Sequence, residues 1–235
     1  MNIFQCDFKV YLLKNIFKKD IQECLSKLID KSFYENPSMK NFHDENKIKK
    51  YSFNQLYPVE KNGIYKEGYI YNFQVRCIGE ELKDHFIRHL TNEYTSNMKI
   101  LTSISKKIIK RPIDRIYSIS SLIVKIADTE KTQYWRNNHN EEDFFEYIRK
   151  SCIKKYEMLT GEVLDKELRL FNYERIDNVK PIATKFKDKK LLGDKVTLNI
   201  ETSNEAQNIS YMLIGTGVAD MAPRGYGFIN YQYVK

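Results

Sequence analysis

The segment that decides the fold is residues 215–233, Gly-Thr-Gly-Val-Ala-Asp-Met-Ala-Pro-Arg-Gly-Tyr-Gly-Phe-Ile-Asn-Tyr-Gln-Tyr. Two pairs of glycines enclose a loop that ends in an arginine, and a run of alternating apolar residues follows. Glycine has no Cβ and adopts positive φ readily, so backbone amides in such a loop can approach a phosphate closely. The segment therefore predicts a polyanion-binding loop ahead of a final strand. Its binding residues would be Gly215, Gly217, Arg224, Gly225 and Gly227.

Two nucleotide-binding motifs also use glycine-rich loops, and this segment matches neither. A dinucleotide-binding fingerprint needs a third glycine where this chain has Asp220, and a helix directly after the loop. A P-loop needs Gly-Lys followed by Ser or Thr. A glycine-capped helix end followed by an ordinary turn stays open as an alternative, because glycine is common at that position.

The composition favours an anionic partner. The chain has 39 Lys and Arg against 31 Asp and Glu, which gives a formal net charge of +8. Such a chain attracts the phosphates of nucleic acid through counterion release, whatever the base sequence. Its 17 tyrosines and 13 phenylalanines also supply rings on which bases can stack.

Other classes of protein fit the sequence poorly. It has no run of the ~18 uncharged apolar residues that a membrane span requires, and no secretory leader, so we expect a cytoplasmic protein without a membrane partner. The cysteines are far apart and form no CxxC pair, which indicates reduced thiols without zinc or disulfides. We expect no cofactor.

Residues 1–111 show the order strand, helix, strand, strand, helix, strand. Apolar residues at helical spacing predict one helix over residues 21–33, ended by Asn36-Pro37, and a second over residues 82–94. The predicted strands cover residues 2–13, 51–53, 69–77 and 98–109. This βαββαβ order is that of a ferredoxin-like domain.

Residues 112–235 repeat the order after a junction at Arg111-Pro112. Helices are predicted over residues 144–159 and from a cap at Thr202 to Gly215. The predicted strands cover residues 116–127, 167–176, 195–201 and 224–233. We therefore predict an α+β protein with two ferredoxin-like (RRM-like) βαββαβ domains in tandem, residues 1–111 and 112–235. The C-terminal glycine-rich loop would join the last helix to the last strand.

The glycine pattern and three further blocks resemble the CRISPR-associated endoribonucleases of the repeat-associated (RAMP) superfamily, which cut precursor CRISPR RNA into guides. The loop is similar to that superfamily's glycine-rich loop and occupies its expected place. The further blocks are residues 51–65, residues 119–125 and the stretch from Tyr134-Trp135 through Phe144-Phe145 to Lys155-Tyr156. Their order and spacing extend the resemblance over nearly the whole chain.

The resemblance implies a reactive histidine and a nearby lysine just after the first helix. His43 and Lys49 occupy that place, and Lys47 or Lys50 would replace Lys49 if the register shifts. In metal-independent cleavage a 2′-OH attacks the adjacent phosphate and leaves a 2′,3′-cyclic phosphate and a 5′-OH. Imidazole titrates near neutrality, so His43 would either take the 2′-OH proton or protonate the leaving oxygen. Lys49 would stabilise the charge of the transition state.

The chain departs from the family at one catalytic position. Many members carry a tyrosine on the first helix, whereas the matching region here reads Leu28-Ile29-Asp30. Tyr34, nearer the helix end, is the available candidate. The departure is what one expects of a slow enzyme or of one that relies on substrate positioning.

Two other groups of residues bear on the chemistry and on binding. His85 and His89 have the i, i+4 spacing of two zinc ligands, but the sequence offers no convincing third ligand, so we predict no metal site. A basic cluster at the junction of the halves is expected to line an RNA groove, although a solvated strand end is the alternative. Its members are Lys106, Lys107, Lys110 and Arg111.

The sequence thus predicts a metal-independent endoribonuclease whose partner is CRISPR repeat RNA, both as precursor and as mature guide. The alternative is a non-catalytic CRISPR RNA-binding subunit of the same superfamily, because the same fold and loop would serve it. Other subunits of an interference complex, or a second copy in a homodimer, are further expected partners.

Overall fold

The structure, a computed structural model, describes residues 1–34, 36, 39, 48–126, 134–187 and 189–235. The strands, in chain order, are β1 (Ile3–Leu12), β2 (Ile16–Phe17), β3 (Tyr51–Phe53), β4 (Ile64–Tyr65), β5 (Ile70–Ile78), β6 (Met98–Ile108), β7 (Ile113–Ser118), β8 (Phe171–Ile176), β9 (Ile182–Phe186), β10 (Lys189–Gly193), β11 (Val196–Ile200) and β12 (Ile229–Tyr233). The α-helices are α1 (Ile21–Tyr34), α2 (Glu80–His85), α3 (Glu141–Thr160) and α4 (Asn204–Thr216).

The first half is an antiparallel sheet covered on one face by helices. Its strand order is β3-β5-β1-β6. Alternate residues of β1, from Phe4 to Leu12, are buried, and they join one apolar core with the inward stripes of α1 and α2. A single π-helical turn, Phe86–Leu90, extends α2 and adds to that core.

The second half repeats this arrangement. Its antiparallel sheet has the order β12-β7-β11-β8. Read from the other edge, this is the order of the first sheet, with β8, β11, β7 and β12 in the places of β3, β5, β1 and β6. Helix α3 begins at an Asn140 capping box and ends at Gly161, whose φ of 78° is the left-handed cap that glycine favours. The architecture is therefore the predicted α+β tandem of ferredoxin-like folds. The division at residues 111 and 112 stays our proposal.

Helix α4 lies between the two sheets. It contacts β1 and β5 of the first sheet and β7, β11 and β12 of the second. Residues around its whole circumference are buried, as expected of a helix with apolar residues on every side. Gly215 lets it approach closely, because a Cβ there would meet the Ile78 side chain at 3.0 Å and the Ile3 side chain at 3.3 Å. Gly215 thus acts in the helix and not in the loop.

A buried arginine also joins the halves. The Arg76 guanidinium of β5 donates to the Ile229 carbonyl oxygen at 2.7 Å and to Gln5 Oε1 at 3.1 Å. It lies over the Phe228 ring, with 4.6 Å between the guanidinium carbon and the ring centroid. Burial lowers the pKa of Arg76 to about 10. The start of β12 is therefore attached to the first sheet by a charged group.

Several element boundaries differ from the sequence prediction. The strand expected over residues 116–127 is β7, Ile113–Ser118, because the chain then leaves the sheet to support the loop after α4. The final strand begins at Ile229 and not at Arg224, which lies in a 3-10 turn. Helix α4 ends at Thr216 with Gly217 as its cap, so Gly215 does not close it.

The second helix is also shorter than predicted, since its π-helical extension stops at Leu90 and Tyr94 is exposed. Two small two-stranded sheets were not predicted at all: β2 paired with β4, and the hairpin of β9 and β10. None of the helices among the described residues is long and apolar enough to cross a membrane.

Candidate functional site

The glycine-rich loop, residues 217–228, connects α4 to β12 and is folded back on itself. The Val218 N–H donates to the Gly227 carbonyl oxygen at 2.9 Å. Gly227 has a φ of 78°, and a Cβ there would overlap the Val218 carbonyl oxygen. Gly225 has a φ of 86° and packs so closely on Phe53 that a Cβ would lie 2.7 Å from that ring. Only glycine fits these positions.

The N–H groups of the loop glycines are used inside the protein. Gly217 donates to Leu213, Gly225 to Ala222 and Gly227 to Ser121, all at 2.8–3.0 Å and all to carbonyl oxygens. The expectation that these amides face a phosphate therefore does not describe this structure, in which the glycines allow close packing. That Gly215, Gly217, Gly225 and Gly227 contribute to RNA binding stays a prediction.

Arg224 is the charged residue that the loop presents. Its NH1 group donates to Asp30 Oδ2 of α1 at 2.6 Å, and its guanidinium lies 5.9 Å from the centroid of the Phe186 ring. About a third of the Arg224 side chain is exposed. Asp30 belongs to the helix region where the family resemblance implies a tyrosine. In this chain the region instead binds the loop arginine.

Lys49 lies beside the start of the glycine-rich loop. It lines a cleft of about 240 Å³, which we call the Lys49 cleft. The other described residues that line it are Ile48, Lys155, Met158, Thr216, Ala219, Asp220 and Pro223. The structure thus brings the candidate catalytic lysine together with the loop, although the two are far apart in the sequence. Lys50 is exposed and is not among the described residues of this cleft.

The structure says less about the other predicted catalytic residues. His43 and Lys47 lie outside the described residues. Tyr34 is the last residue of α1, with 51% of its surface exposed, and it is not among the described residues that line the Lys49 cleft. The roles of these residues stay predictions.

Sequence reasoning assigned no role to Lys155, which is buried in the floor of the Lys49 cleft. Its ammonium donates to the carbonyl oxygens of Gly217 at 3.1 Å and Ala219 at 3.2 Å. Burial lowers the pKa of Lys155, and nearby Cys152 and Asp220 oppose that shift. A lysine within the apolar stripe of α3 was the signal that could have identified it.

A second cleft, between the two halves, is lined by three lysines that the sequence did not single out. We call this space of about 470 Å³ the inter-half cleft. Lys18 and Lys19 approach it from the start of α1, and Lys195 from the segment before β11. Burial lowers the pKa of Lys195, and the charge of Lys18 lowers it further. Tyr226 of the glycine-rich loop, with Ser120 and Ser121, completes the wall.

No carboxylate is found among the described residues that line the inter-half cleft. Its charge is therefore positive, and it adjoins the face of the glycine-rich loop that carries Tyr226. In the sequence only Lys18 and Lys19 are neighbours. Lys195 is far from them along the chain and comes near them only in the folded protein.

The predicted basic cluster lies elsewhere. Lys106 and Lys107 are exposed on β6, the edge strand of the first sheet. Lys110 donates to Asn208 Oδ1 at 2.5 Å, and Lys110 and Arg111 line a separate cleft near the start of α4. Because Asn208 lies near the start of α4 and the glycine-rich loop begins after its other end, roughly 13 Å of helix separates the loop from the Lys110 contact. The structure therefore shows two separate basic surfaces.

The two helix histidines form a packed pair. His85 is buried, hydrogen-bonded to Ser32 and Asn36, and its ring lies 5.4 Å from that of His89. Within the described residues, no group of three His, Cys, Asp or Glu side chains is arranged to hold a metal ion.

Solved structures with this fold include several related to CRISPR. One described as CRISPR associated protein Cas6 is 17% identical, with a TM-score of 0.72 over 98% of this chain and 99% of that chain. Another, described as a RAMP protein binding different RNA substrates, is 14% identical, with a TM-score of 0.75 over 97% and 99%. A third, from a Cas6-related gene of Pyrococcus furiosus, is 15% identical, with a TM-score of 0.70 over 98% of each chain. At these identities the likeness shows the fold alone.

Sequence comparison adds the family. No curated protein matches the sequence. The family described as CRISPR associated protein Cas6, C-terminal, matches residues 104–231, which is more than half of the chain and includes the glycine-rich loop. The chain therefore belongs to the Cas6 family of CRISPR-associated proteins.

Proposed function

We propose that this protein binds CRISPR repeat RNA and cuts precursor CRISPR RNA into guide units without a metal ion. Membership in the Cas6 family supports binding and processing of CRISPR RNA. A protein with the same fold binds different RNA substrates, which supports RNA as the partner of this chain as well. The net charge of +8 favours the same class of ligand.

One observation carries the catalytic part of the proposal. Lys49 shares a cleft with Thr216, Ala219 and Asp220 at the start of the glycine-rich loop, although the loop lies at the other end of the sequence. A cation held in a partly enclosed cleft stabilises developing negative charge better than one in open water. This position supports Lys49 as the group that acts on a phosphate held near the loop.

The reaction follows from these groups. His43 would move the proton, from the attacking 2′-OH or to the leaving 5′-oxygen, and Lys49 would stabilise the phosphorane-like transition state. The products would be a 2′,3′-cyclic phosphate and a 5′-OH. Tyr34 is our candidate for a third group.

We assign RNA contacts outside the reaction centre to three surfaces. The inter-half cleft offers three lysines with no facing carboxylate among its described residues. Arg224 would exchange its Asp30 partner for a phosphate. Lys106, Lys107, Lys110 and Arg111 would contact a more distant part of the repeat. Association with other subunits of an interference complex, and formation of a homodimer, are part of the same proposal and can be checked by light scattering.

One observation favours the alternative, a guide-holding subunit that does not cut. The α1 region that resembles the tyrosine position of the family contains Asp30, which binds Arg224, and Tyr34 is exposed at the helix end. A chain without the third catalytic group could retain the RNA and lack the reaction.

Cleavage of a labelled synthetic repeat RNA in EDTA separates the two functions. The proposal predicts cutting by the wild-type protein, with 2′,3′-cyclic phosphate and 5′-OH ends. A 2′-deoxy group at the cut site and His43→Ala should each abolish the cutting. Tight binding with no cutting would establish the guide-holding alternative, and cutting that survives the 2′-deoxy substitution would refute the mechanism.

A further inference from the structure

Lys155 is a cation in an unusual position for a helix residue. It lies on the buried face of α3, in line with Ile148 and Cys152, and only 8% of its surface is exposed. Lysine is almost never fully buried without a partner, because removing an ammonium from water is costly. The position therefore calls for a reason beyond packing.

The contacts of Lys155 satisfy only part of its ammonium group. Among the described residues its acceptors are the carbonyl oxygens of Gly217 and Ala219, and no carboxylate lies within ion-pair distance. An ammonium has three protons, so one is left after these two bonds. Asp220, whose charge acts on Lys155, lines the same cleft, and Tyr147 donates to its Oδ2 at 3.4 Å.

Lys155, whose ammonium holds the remaining proton, lines the Lys49 cleft. That cleft contains two lysines, Lys49 and Lys155, and one carboxylate, Asp220, among its described residues. A net positive cleft of about 240 Å³ has room for one phosphate group with part of its sugar. The two carbonyl bonds fix the ammonium in place, so little side-chain freedom is lost when an anion binds.

The geometry points to Lys155 as a second phosphate-binding residue of this cleft, one that donates to a non-bridging oxygen of the scissile phosphate while it holds the start of the glycine-rich loop. The inference rests on the proposed function, because it takes repeat RNA as the ligand. It goes further in naming a second residue, on the second half of the molecule, that touches the reacting phosphate.

A double-mutant cycle between residue 155 and the charge of the phosphate tests the contact. The probes are two synthetic repeat RNAs made uncuttable by a 2′-deoxy group, one with the natural scissile phosphate and one with an uncharged methylphosphonate there. We expect Lys155→Gln to weaken binding of the phosphate RNA by about tenfold to a hundredfold, the size of one charge-assisted hydrogen bond. Binding of the methylphosphonate RNA should change by less than about threefold, so the preference for phosphate falls.

The control is Lys154→Gln, an exposed neighbour on α3 that removes the same charge and is not among the described residues of the cleft. It should leave the preference for phosphate unchanged. If Lys155→Gln folds poorly, Lys155→Met tests the same contact with a side chain suited to the buried site, and Lys155→Arg should keep the preference. Melting temperatures measured in parallel identify the folded variants.

Two results would overturn the inference. Equal weakening for both RNAs would mean that Lys155 only organises the loop, and no weakening for either would mean that it does not meet the RNA. Because binding is measured on uncuttable RNA, the result is independent of cleavage. A wild-type protein that shows the phosphate preference but never cuts natural repeat RNA would refute the proposed enzyme and leave the Lys155 contact standing.

Discussion

His85 shows how burial decides the chemistry of a single residue. Its ring stacks on Phe33 with 4.3 Å between ring centroids, Asn36 Nδ2 lies 3.0 Å from Nδ1, and Ser32 Oγ lies 3.2 Å from Nε2. An amide nitrogen donates and does not accept, so the ring is neutral with its proton on Nε2. Burial lowers the pKa of His85 to about 4, and His89 lowers it further. This histidine is a structural member of the core.

The lowered pKa predicts a specific pH dependence of stability. Unfolded histidine titrates near 6.5, so between about pH 6.5 and 4 the unfolded state binds a proton that the folded state does not. The contribution of His85 to the free energy of unfolding should be constant with pH above this window and fall through it as the pH drops, by at most about 3 kcal/mol. Chemical denaturation at a series of pH values should show a shallower fall for His85→Gln. Parallel curves for the two proteins would contradict the assignment.

Single residues also mark the limits of sequence reasoning. That Lys49 lies beside the loop is a finding of the structure, and its catalytic role stays a prediction. The use of Asp30 by Arg224 was not predictable, because an ion pair between α1 and the loop depends on how the halves pack. The contacts of Lys155 with the loop were not predictable for the same reason.

At the scale of elements, the glycine-rich loop is held by its neighbours on several sides. Gln22 of α1 donates to the Gly225 carbonyl oxygen at 2.6 Å, and the Phe228 N–H donates to Ser120 Oγ at 2.9 Å. Lys155 holds its first residues. The loop is therefore a packed element whose glycines are required by space as well as by φ.

This packing predicts different costs for two glycine substitutions with similar backbone angles. Gly227→Ala would place a Cβ against the Val218 carbonyl oxygen, whereas Gly63→Ala, at a φ of 74°, meets nothing within 4 Å. In both variants the alanine must adopt a left-handed conformation, which costs about 1–2 kcal/mol. We expect Gly227→Ala to lower the free energy of unfolding by about 1–3 kcal/mol more than Gly63→Ala. Urea unfolding measures both, and equal losses would show that the loop is loosely packed.

Element boundaries show what periodicity can and cannot predict. The sheet strands and helices that form the repeated βαββαβ order were predicted because each buries one face. Residues 119–126 carry apolar residues in a strand-like run, yet they leave the sheet because Ser120 and Ser121 bind the loop. The β9–β10 hairpin was missed because it lies outside both sheets and buries little of its surface.

At the scale of the whole molecule, α4 and Arg76 join the two sheets, and the inter-half cleft lies where the halves meet. Lys18, Lys19 and Lys195 reach that cleft from different halves. Their closeness could not be predicted from sequence, since it depends on the packing of the halves. A positive cleft of this kind is suited to the phosphate backbone of a single RNA strand.

The inter-half cleft predicts how RNA binding responds to salt. For single strands the slope of log affinity against log salt changes by about 0.7 for each phosphate contact. Replacing Lys18, Lys19 and Lys195 with Gln should therefore make the slope shallower by about 2, measured by filter binding of uncuttable repeat RNA. Replacing the exposed Lys150, Lys154 and Lys166 removes the same charge, and should change the slope by less than about half as much. Equal changes in slope for the two triple variants would mean that RNA binding depends on the net charge of the protein and not on this cleft.

The central claim is that Lys49, in its cleft beside the glycine-rich loop, acts on the scissile phosphate. The most direct measurement is the single-turnover rate of repeat RNA cleavage in EDTA for Lys49→Ala and for its exposed neighbour Lys50→Ala. The account predicts a fall of about a hundredfold to a thousandfold for Lys49→Ala, the usual loss when one group that stabilises transition-state charge is removed. Lys50→Ala should stay within about threefold of the wild type, since it is not among the cleft residues. Equal rates for Lys49→Ala and the wild type, or a larger loss for Lys50→Ala, would contradict the claim.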